Sequence, residues 1–459
     1  MVINPLYTPK TNDSPYWNEH LETLPREKLD AWHLKRLRAL IKHAYENVPM
    51  YRKLYDEAGI RPEDIVTFED YVNRVPTIDK KDVVEFQQLN PPFGEAIIPG
   101  TEQYQHLRYS TSGTTGRPLA EICTFPSLDI YNCWTYGWWA WGIRPGDVLY
   151  FAFNFGTYTA FWSAYLDALL MGCQVVTGGG ADSQMRVRQI LDYKPTVLLA
   201  TPTYALRLAE VARQMGVDPR ETTIRIVAVG GEPGPVIPSI RKAVEDAWGA
   251  TATDSYGISD MSYNTSLHCP VRQTGFHFNE SVAVPLVVDE QGQPVPDGEA
   301  GEMIMTAFTG VLTPMIKYRT HDVVRWRKGK CECGRTWVYL DGGVLGRSDH
   351  MVTIRGTNVY PAGIQTILFG VEGLSENLEI HFYDGGVGKG DQVMVKVEAA
   401  PQVEAVNYEV LKQKAETELR IKAGVRIDVE IVPPGTLPRY ELKAKRVFDH
   451  RAGATRKEG

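Results

Sequence analysis

Short apolar runs alternating with helix-length segments constrain this chain more than any other feature. Val148-Leu-Tyr-Phe-Ala-Phe153, Gln174-Val-Val-Thr177, Thr196-Val-Leu-Leu-Ala200 and Ile224-Arg-Ile-Val-Ala-Val229 read as buried strands. Segments 182–193 and 203–215 read as helices between them. Strands separated by helices pair mainly in parallel, so the pattern predicts α/β layers. From 282 to 340 strands dominate, with turn signals at Asp289-Glu-Gln-Gly292 and Pro296-Asp-Gly298. The pattern restarts after Gly346-Arg-Ser-Asp349. Strand candidates then fall in 374–399 and 426–432, with a helix at 404–422 between them. The expected architecture is α/β: a large multi-layer domain over 1–347 and a small α+β domain over 348–459.

Residues 26–47 read as a helix. Leu34, Leu37, Ile41 and Ala44 recur at helical spacing, with Leu40 beside them. Lys35, Arg38 and Lys42 share the other face and read as a solvated surface. With 49 basic and 56 acidic residues the net charge is −7, which argues against nucleic acid as a partner. The most apolar stretch, Phe161 to Gly172, is short and carries Asp167, so no membrane span is expected. The N-terminus shows no signal peptide, and six cysteines make no disulfide scaffold. A reducing cytoplasm is the expected location.

Tyr109-Ser-Thr-Ser-Gly-Thr-Thr-Gly-Arg-Pro118 is the most informative stretch for chemistry. Ser110, Thr111, Ser112, Gly113, Thr114, Thr115 and Gly116 are all Ser, Thr or Gly. Glycine lets a backbone curl round an anion, and hydroxyls add donors. No Gly-Lys-Ser/Thr follows, so this is not a Walker-type P-loop.

That stretch resembles the phosphate-binding signature of the acyl- and aryl-adenylate-forming enzymes, a superfamily of acyl-CoA synthetases, peptide-synthetase adenylation domains and luciferases. Gly230-Gly-Glu-Pro233 is similar to its adenine-side segment and Asp254-Ser-Tyr-Gly-Ile-Ser-Asp260 to the following aromatic element. Tyr318-Arg-Thr-His-Asp322 resembles the ribose segment, Gly346-Arg-Ser-Asp349 the hinge, and Pro438-Arg-Tyr-Glu-Leu-Lys443 the C-terminal lysine motif. Ala44-Tyr-Glu-Asn-Val-Pro-Met-Tyr-Arg52, Arg74-Val-Pro-Thr77 and Met351-Val-Thr-Ile-Arg-Gly-Thr-Asn-Val-Tyr-Pro361 resemble the phenylacetate-CoA ligase branch.

The resemblance implies an adenylate-forming N-terminal domain and a mobile C-terminal one. It also implies a two-step reaction: ATP and an aromatic carboxylic acid give acyl-AMP, which coenzyme A then converts to acyl-CoA. Residues 110–116 would cradle the phosphates, with Mg²⁺ neutralising them. Gly231, Glu232 and Pro233 would border the adenine, together with Asp254 and Ser255. Tyr256 would stack on it. Asp322 would accept both ribose hydroxyls, and Arg347 would reach ribose or phosphate. Gly230, Gly257 and Ile258 would approach the acyl group, and Asp349 would be the hinge. Lys443 would bridge carboxylate and α-phosphate. Leu442 stands where the family pattern has Gly, which leaves Lys445 as an alternative. Asp260 replaces the family's usual Glu. It would meet Mg²⁺ directly or through water, or serve its own loop.

Cys331-Glu-Cys333 with Cys269 and His277 supplies a Cys₃His set, acceptable for a closed tetrahedral zinc site. His268 is an alternative to His277, and the resemblance to the branch supports a structural zinc. Cys123, Cys133 and Cys173 read as core thiols. Aromatic residues crowd 134–162, mostly as core, but Phe155 and Tyr158 fall where the family builds its acyl pocket. Gly385-Gly-Val-Gly-Lys-Gly390 reads as a hairpin turn. Transfer to a carrier protein, release of the adenylate, and a non-catalytic nucleotide-binding relative are the rival readings. A homodimer is implied by analogy alone.

Overall fold

The computed structural model describes residues 13–101, 106–111, 118–124, 133–157, 159–261, 263–348, 352–354, 357–383, 392–440 and 445–451. Outside that set lie Ser112, Gly113, Thr114, Thr115, Gly116, Tyr158, Asp349, Lys443 and the 385–390 loop. The chain divides into two compact units. The first comprises Met1–Leu149, Asn154–Gly179 and Ser255–Gly343, and the second Tyr150–Phe153, Gly180–Asp254 and Val344–Gly459.

The first unit is built on a six-stranded sheet in the order Ser266–His268, Gly275–Phe278, Tyr339–Arg347, Tyr318–Arg327, Ala300–Ala307, Ala283–Val288. Ser266–His268, Gly275–Phe278 and Tyr339–Arg347 pair antiparallel in turn, as do Ala283–Val288, Ala300–Ala307 and Tyr318–Arg327. Tyr318–Arg327 alternates buried and half-buried positions, as a strand with one face in the core should. The helix Arg26–Asn47 forms over the expected residues. Its buried stripe runs through Leu29, His33, Leu37, Leu40, Ile41 and Ala44. Leu34 is only half-buried, because the stripe lies one position away and takes in His33. His33 Nε2 lies 2.9 Å from the Glu280 carbonyl, which accounts for a buried histidine there. Lys35, Arg38 and Lys42 are exposed.

In the second unit, strands Val197–Ala200 and Ile226–Gly230 pair in parallel, with Thr251–Ser255 next in order. Every residue of Val197–Ala200 is buried. Gln174–Thr177, which belongs to the first unit, is an outer strand, so its ends are exposed and its valines half-buried, not buried as the apolar run suggested. Helices Ser183–Tyr193 and Pro202–Gln214 match the expected segments. Asp182 and Thr201 cap their N-termini, accepting the Met185 and Tyr204 amides. Residues 374–449 supply a four-stranded sheet in the order Asp428–Val432, Gln392–Ala399, Leu374–Tyr383, Val447–Asp449. The helix Tyr408–Ala423 places Leu411 on the core of Val371 and Ala399. Among the described residues no helix is long and apolar enough to cross a membrane.

Candidate active site and thiol cluster

In the first unit, a backbone irregularity places Asp322. The ladder between Ala300–Ala307 and Tyr318–Arg327 shifts register between Glu302 and Ile304. Glu302 faces Val323 but Ile304 faces Arg319, so the second strand carries extra residues there. His321 sits within them at φ +61°, left-handed without being glycine. The bulge re-aims Asp322, whose amide donates to Thr320 Oγ1 at 3.1 Å. Tyr256 donates its hydroxyl to Asp322 Oδ2 at 2.5 Å, and the Tyr256 amide donates to Ser266 Oγ at 2.6 Å. The tyrosine expected at the adenine and the aspartate expected at the ribose are thus one hydrogen-bonded pair. Asp322 is only 7% exposed.

Asp260 belongs to the same unit. It accepts the Tyr318 hydroxyl at 2.7 Å and lies 3.1 Å from Lys80 Nζ. Lys80 escaped the sequence reading, although Asp79 and Asp82 carry a legible capping box ahead of the helix Lys80–Gln88. A bridge between Ile78 and Tyr318 pins that helix start beside Tyr318. That bridge brings Lys80 and Tyr318 to Asp260 from two different segments.

Ser110 and Thr111 form the base of the expected phosphate loop. The Thr111 amide donates to the Leu119 carbonyl at 3.1 Å, and Thr111 Oγ1 accepts the Leu119 amide at 3.0 Å, closing the neck. The Ser110 amide donates to the Thr157 carbonyl at 3.2 Å, and its hydroxyl to Thr157 Oγ1 at 3.1 Å. That couples the loop base to Phe155-Gly-Thr157. Phe155 is half-buried against Trp162 at 5.0 Å and Tyr165 at 5.9 Å, both edge-on. Gly257 and Ile258 form a two-residue strand against Tyr263 and Asn264.

In the second unit, the strand Ile226–Gly230 ends at Gly230, and Gly231 turns at φ +86°. Ligands of open α/β sheets bind at this carboxyl end. Glu232 accepts the Thr203 hydroxyl at 2.5 Å. Asp254 is buried and turned toward Gly234, where a Cβ would come within 2.6 Å of its carboxylate. It also accepts the Val236 amide at 3.3 Å, so it braces the 234–236 turn that follows Pro233. Arg347 ends the strand Tyr339–Arg347, beside Gly346, whose Cβ position is filled by the Tyr360 side chain. Lys445 lies over the Phe448 ring at 5.4 Å, an engaged position for the alternative lysine.

The ligating atoms of Cys269, His277, Cys331 and Cys333 all lie within 4.8 Å of one another. Cys269 Sγ is 3.9 Å from Cys331 Sγ, and Cys333 Sγ is 3.2 Å from His277 Nε2. Sulfurs on one tetrahedral zinc stand about 3.8 Å apart, so the set fits that ion. His277 Nδ1 bonds the Trp337 carbonyl at 3.1 Å, which directs Nε2 to the thiols. His268 is elsewhere: its ring stacks on Trp141 at 4.9 Å and its Nε2 meets the Gln273 carbonyl. Tyr16 donates to the Cys333 carbonyl at 2.9 Å, and Arg335 pairs with buried Glu22 at 2.7 Å. Gly334, at φ +89°, has the Tyr16 hydroxyl where a Cβ would stand. Cys133 and Cys173 are buried, and the Cys123 side chain lies outside the described residues.

Comparisons with known proteins place these features. The family model for the AMP-binding enzyme matches residues 99–309, and that for the AMP-binding enzyme C-terminal domain matches residues 356–451. A phenylacetate-coenzyme A ligase of Thermus thermophilus is 33% identical, over 95% of this chain and 99% of that one. A 2-hydroxyisobutyryl-CoA ligase crystallised with 2-HIB-AMP in the postadenylation state has a TM-score of 0.89 at 31% identity, covering 96% of this chain and 94% of that one. The same ligase with 2-HIB-AMP and CoA in the thioesterification state scores 0.72 at 32% identity, covering 97% and 94%. The fold is the adenylate-forming one, and the molecule is an ATP-dependent, AMP-forming acid–CoA ligase that works through an acyl-AMP. The chain belongs to the phenylacetate-coenzyme A ligase family.

Proposed function

We propose that the acid is aromatic, an aryl or arylacetic acid. The observation that carries this is the Phe155–Trp162–Tyr165 wall joined through Thr157 to Ser110. An edge-to-face aromatic cluster tied to the base of the phosphate loop suits an aromatic acid whose carboxylate must meet the α-phosphate. The phenylacetate-CoA ligases among the relatives support the same class.

The carboxylate oxygen attacks the α-phosphorus and pyrophosphate leaves, carrying charge that Mg²⁺ and residues 110–116 offset. The sulfur of CoA then attacks the acyl carbon, AMP leaves, and the thiol proton passes to solvent. Tyr256 and Asp322 hold the adenosine, with Gly231, Glu232 and Pro233 at its base edge. Gly230, Gly257 and Ile258 line the acyl side. Lys443 is the cation at the α-phosphate and Asp349 the hinge, with the domain boundary at 347/348. Asp260, paired with Lys80 and Tyr318, would help hold Mg²⁺, which would supply charge neutralisation at the phosphates. Cys269, His277, Cys331 and Cys333 hold a structural zinc, with no open position for substrate. The described cysteines form no disulfide, which suits a reducing cytoplasm.

The test is a substrate panel. Phenylacetate, benzoate, aminobenzoates, hydroxybenzoates and indole acids are each incubated with ATP and Mg²⁺, with and without CoA. 2-Hydroxyisobutyrate joins them, because a ligase of that acid shares the fold so closely. Mass spectrometry follows acyl-AMP and acyl-CoA. CoA-dependent acyl-CoA from an aromatic acid is the expected result. Turnover of 2-hydroxyisobutyrate alone would overturn the aromatic assignment. Acyl-AMP without acyl-CoA would favour a carrier protein or release of the adenylate.

Tyr256→Phe removes a hydrogen bond to a charged carboxylate, worth about 1.5–3 kcal/mol. The KM for ATP should rise about tenfold or more with KM for the acid unchanged. Steady-state kinetics over both substrates checks it.

A further inference from the structure

Two arginines bracket the lysine motif in sequence, and they grip different partners. Upstream, Arg439 donates both terminal nitrogens to Glu398, at 2.9 and 2.8 Å. Glu398 is buried on the strand Gln392–Ala399 and also accepts the Leu437 amide at 2.7 Å. That grip lies wholly within the small sheet and its following segment. Downstream, the Arg446 carbonyl accepts the Ile380 amide at 2.7 Å, so its backbone belongs to the same sheet.

Its guanidinium does not. Arg446 Nη2 donates to Thr203 Oγ1 at 2.9 Å, and Nη1 lies 3.7 Å from Glu232 Oε2. Thr203 in turn donates to that same Oε2. The Arg446 and Glu232 side chains are 8% and 4% exposed, so the pair is nearly cut off from water. Glu376 and Arg446 line one cleft, and burial raises the Glu376 carboxyl above its ordinary range while Arg446 opposes the shift. The Arg446 Nε–H finds no acceptor among the described residues. The guanidinium also lies 5.8 Å from the Phe369 ring and near Glu376 of the small sheet, yet its hydrogen bond goes to Thr203, and a buried arginine left one bond short is costly to keep.

We propose that Arg446 is a positioning residue for adenylate formation: by clasping Thr203 and Glu232 it anchors the chain, three residues after Lys443, to the adenine-side loop. The inference rests on the roles given above to Lys443 and Glu232. Lys443 lies three residues before Arg446 and acts as negative charge gathers at the α-phosphate. A displaced cation costs that step most, because catalytic geometry tolerates little slack.

The test separates the half-reactions. ATP–pyrophosphate exchange reports the first, with the aromatic acid of the panel that is turned over fastest. Conversion of its synthetic acyl-AMP by CoA reports the second. Arg446→Ala should slow exchange about 100-fold through kcat, while conversion of the synthetic adenylate stays near the wild-type rate. Arg446→Lys, which keeps the charge but loses the fork, should recover part of the exchange. Thr203→Val removes the hydroxyl that joins the pair. It should slow exchange in the same direction, and it carries the test alone if Arg446→Ala does not fold. Equal losses in both half-reactions, or no loss in exchange, would overturn the proposal. A wild-type enzyme that fails both assays with every acid would overturn the functional reading beneath it, a result distinct from either.

Discussion

Lys443→Ala is expected to slow ATP–pyrophosphate exchange about 1,000-fold, at the upper end for one electrostatic donor at a developing charge. Two anions must meet in this step, the acid and the α-phosphate. A single cation between them offsets their repulsion before the bond forms and holds the charge afterward. KM for ATP should change little, since the grip on the nucleotide is proposed to come from Tyr256, Asp322 and residues 110–116. Lys445→Ala should leave exchange essentially unchanged, because Lys445 is engaged over Phe448. A reversed outcome, with Lys445→Ala inactive and Lys443→Ala active, would move the catalytic role two residues along. Exchange assays on both variants decide it.

The second large effect concerns the thiol cluster. Protein from metal-replete cells should carry one zinc per chain by elemental analysis. Cys331→Ser should lose it, and the melting temperature should fall by about 10 °C, as a loss of several kcal/mol requires in a chain of this size. The loss is smaller than the roughly 10–16 kcal/mol of an isolated zinc-finger peptide. Ser266–His268 and Gly275–Phe278 already pair with each other, and Gly275–Phe278 pairs with Tyr339–Arg347, so the metal fastens an existing hairpin. Chelation should lower the wild-type transition to that of Cys331→Ser and leave the variant unaffected. A wild-type chain without zinc, melting with the variant, would overturn the assignment.

The legible and illegible parts of the molecule divide by range. Local periodicity marked the buried strands of the parallel sheet and the helices between them to within two residues, because burial of β-branched runs is written in neighbouring residues. The Cys₃His cluster was partly legible because thiols are rare, although Cys331-Glu-Cys333 is spaced more tightly than the commoner two-residue gap and the resemblance to the branch supplied the rest. Choosing His277 over His268 needed the sheet, where ring direction depends on which strand pairs with which. The bulge at Thr320–Asp322 left no mark, since a left-handed histidine has no signature such as glycine would give. Lys80–Asp260 and Arg446–Glu232 join residues 180 and 214 positions apart, beyond any local pattern. Periodicity also overstated the burial of Gln174–Thr177, because a strand's place in a sheet is a tertiary property.

The contacts of Tyr16 and Glu22 carry a practical consequence. Both residues read the Cys331–Arg335 turn, which would carry the proposed zinc, directly through the Cys333 carbonyl and through Arg335. Trimming the chain up to residue 24 would strip that turn of its outer support and leave the Arg335 guanidinium uncompensated in the interior. Such a truncation would behave biochemically as a lesion of the zinc knot. Its symptoms would be metal leakage and thiol oxidation, far along the chain from the cut.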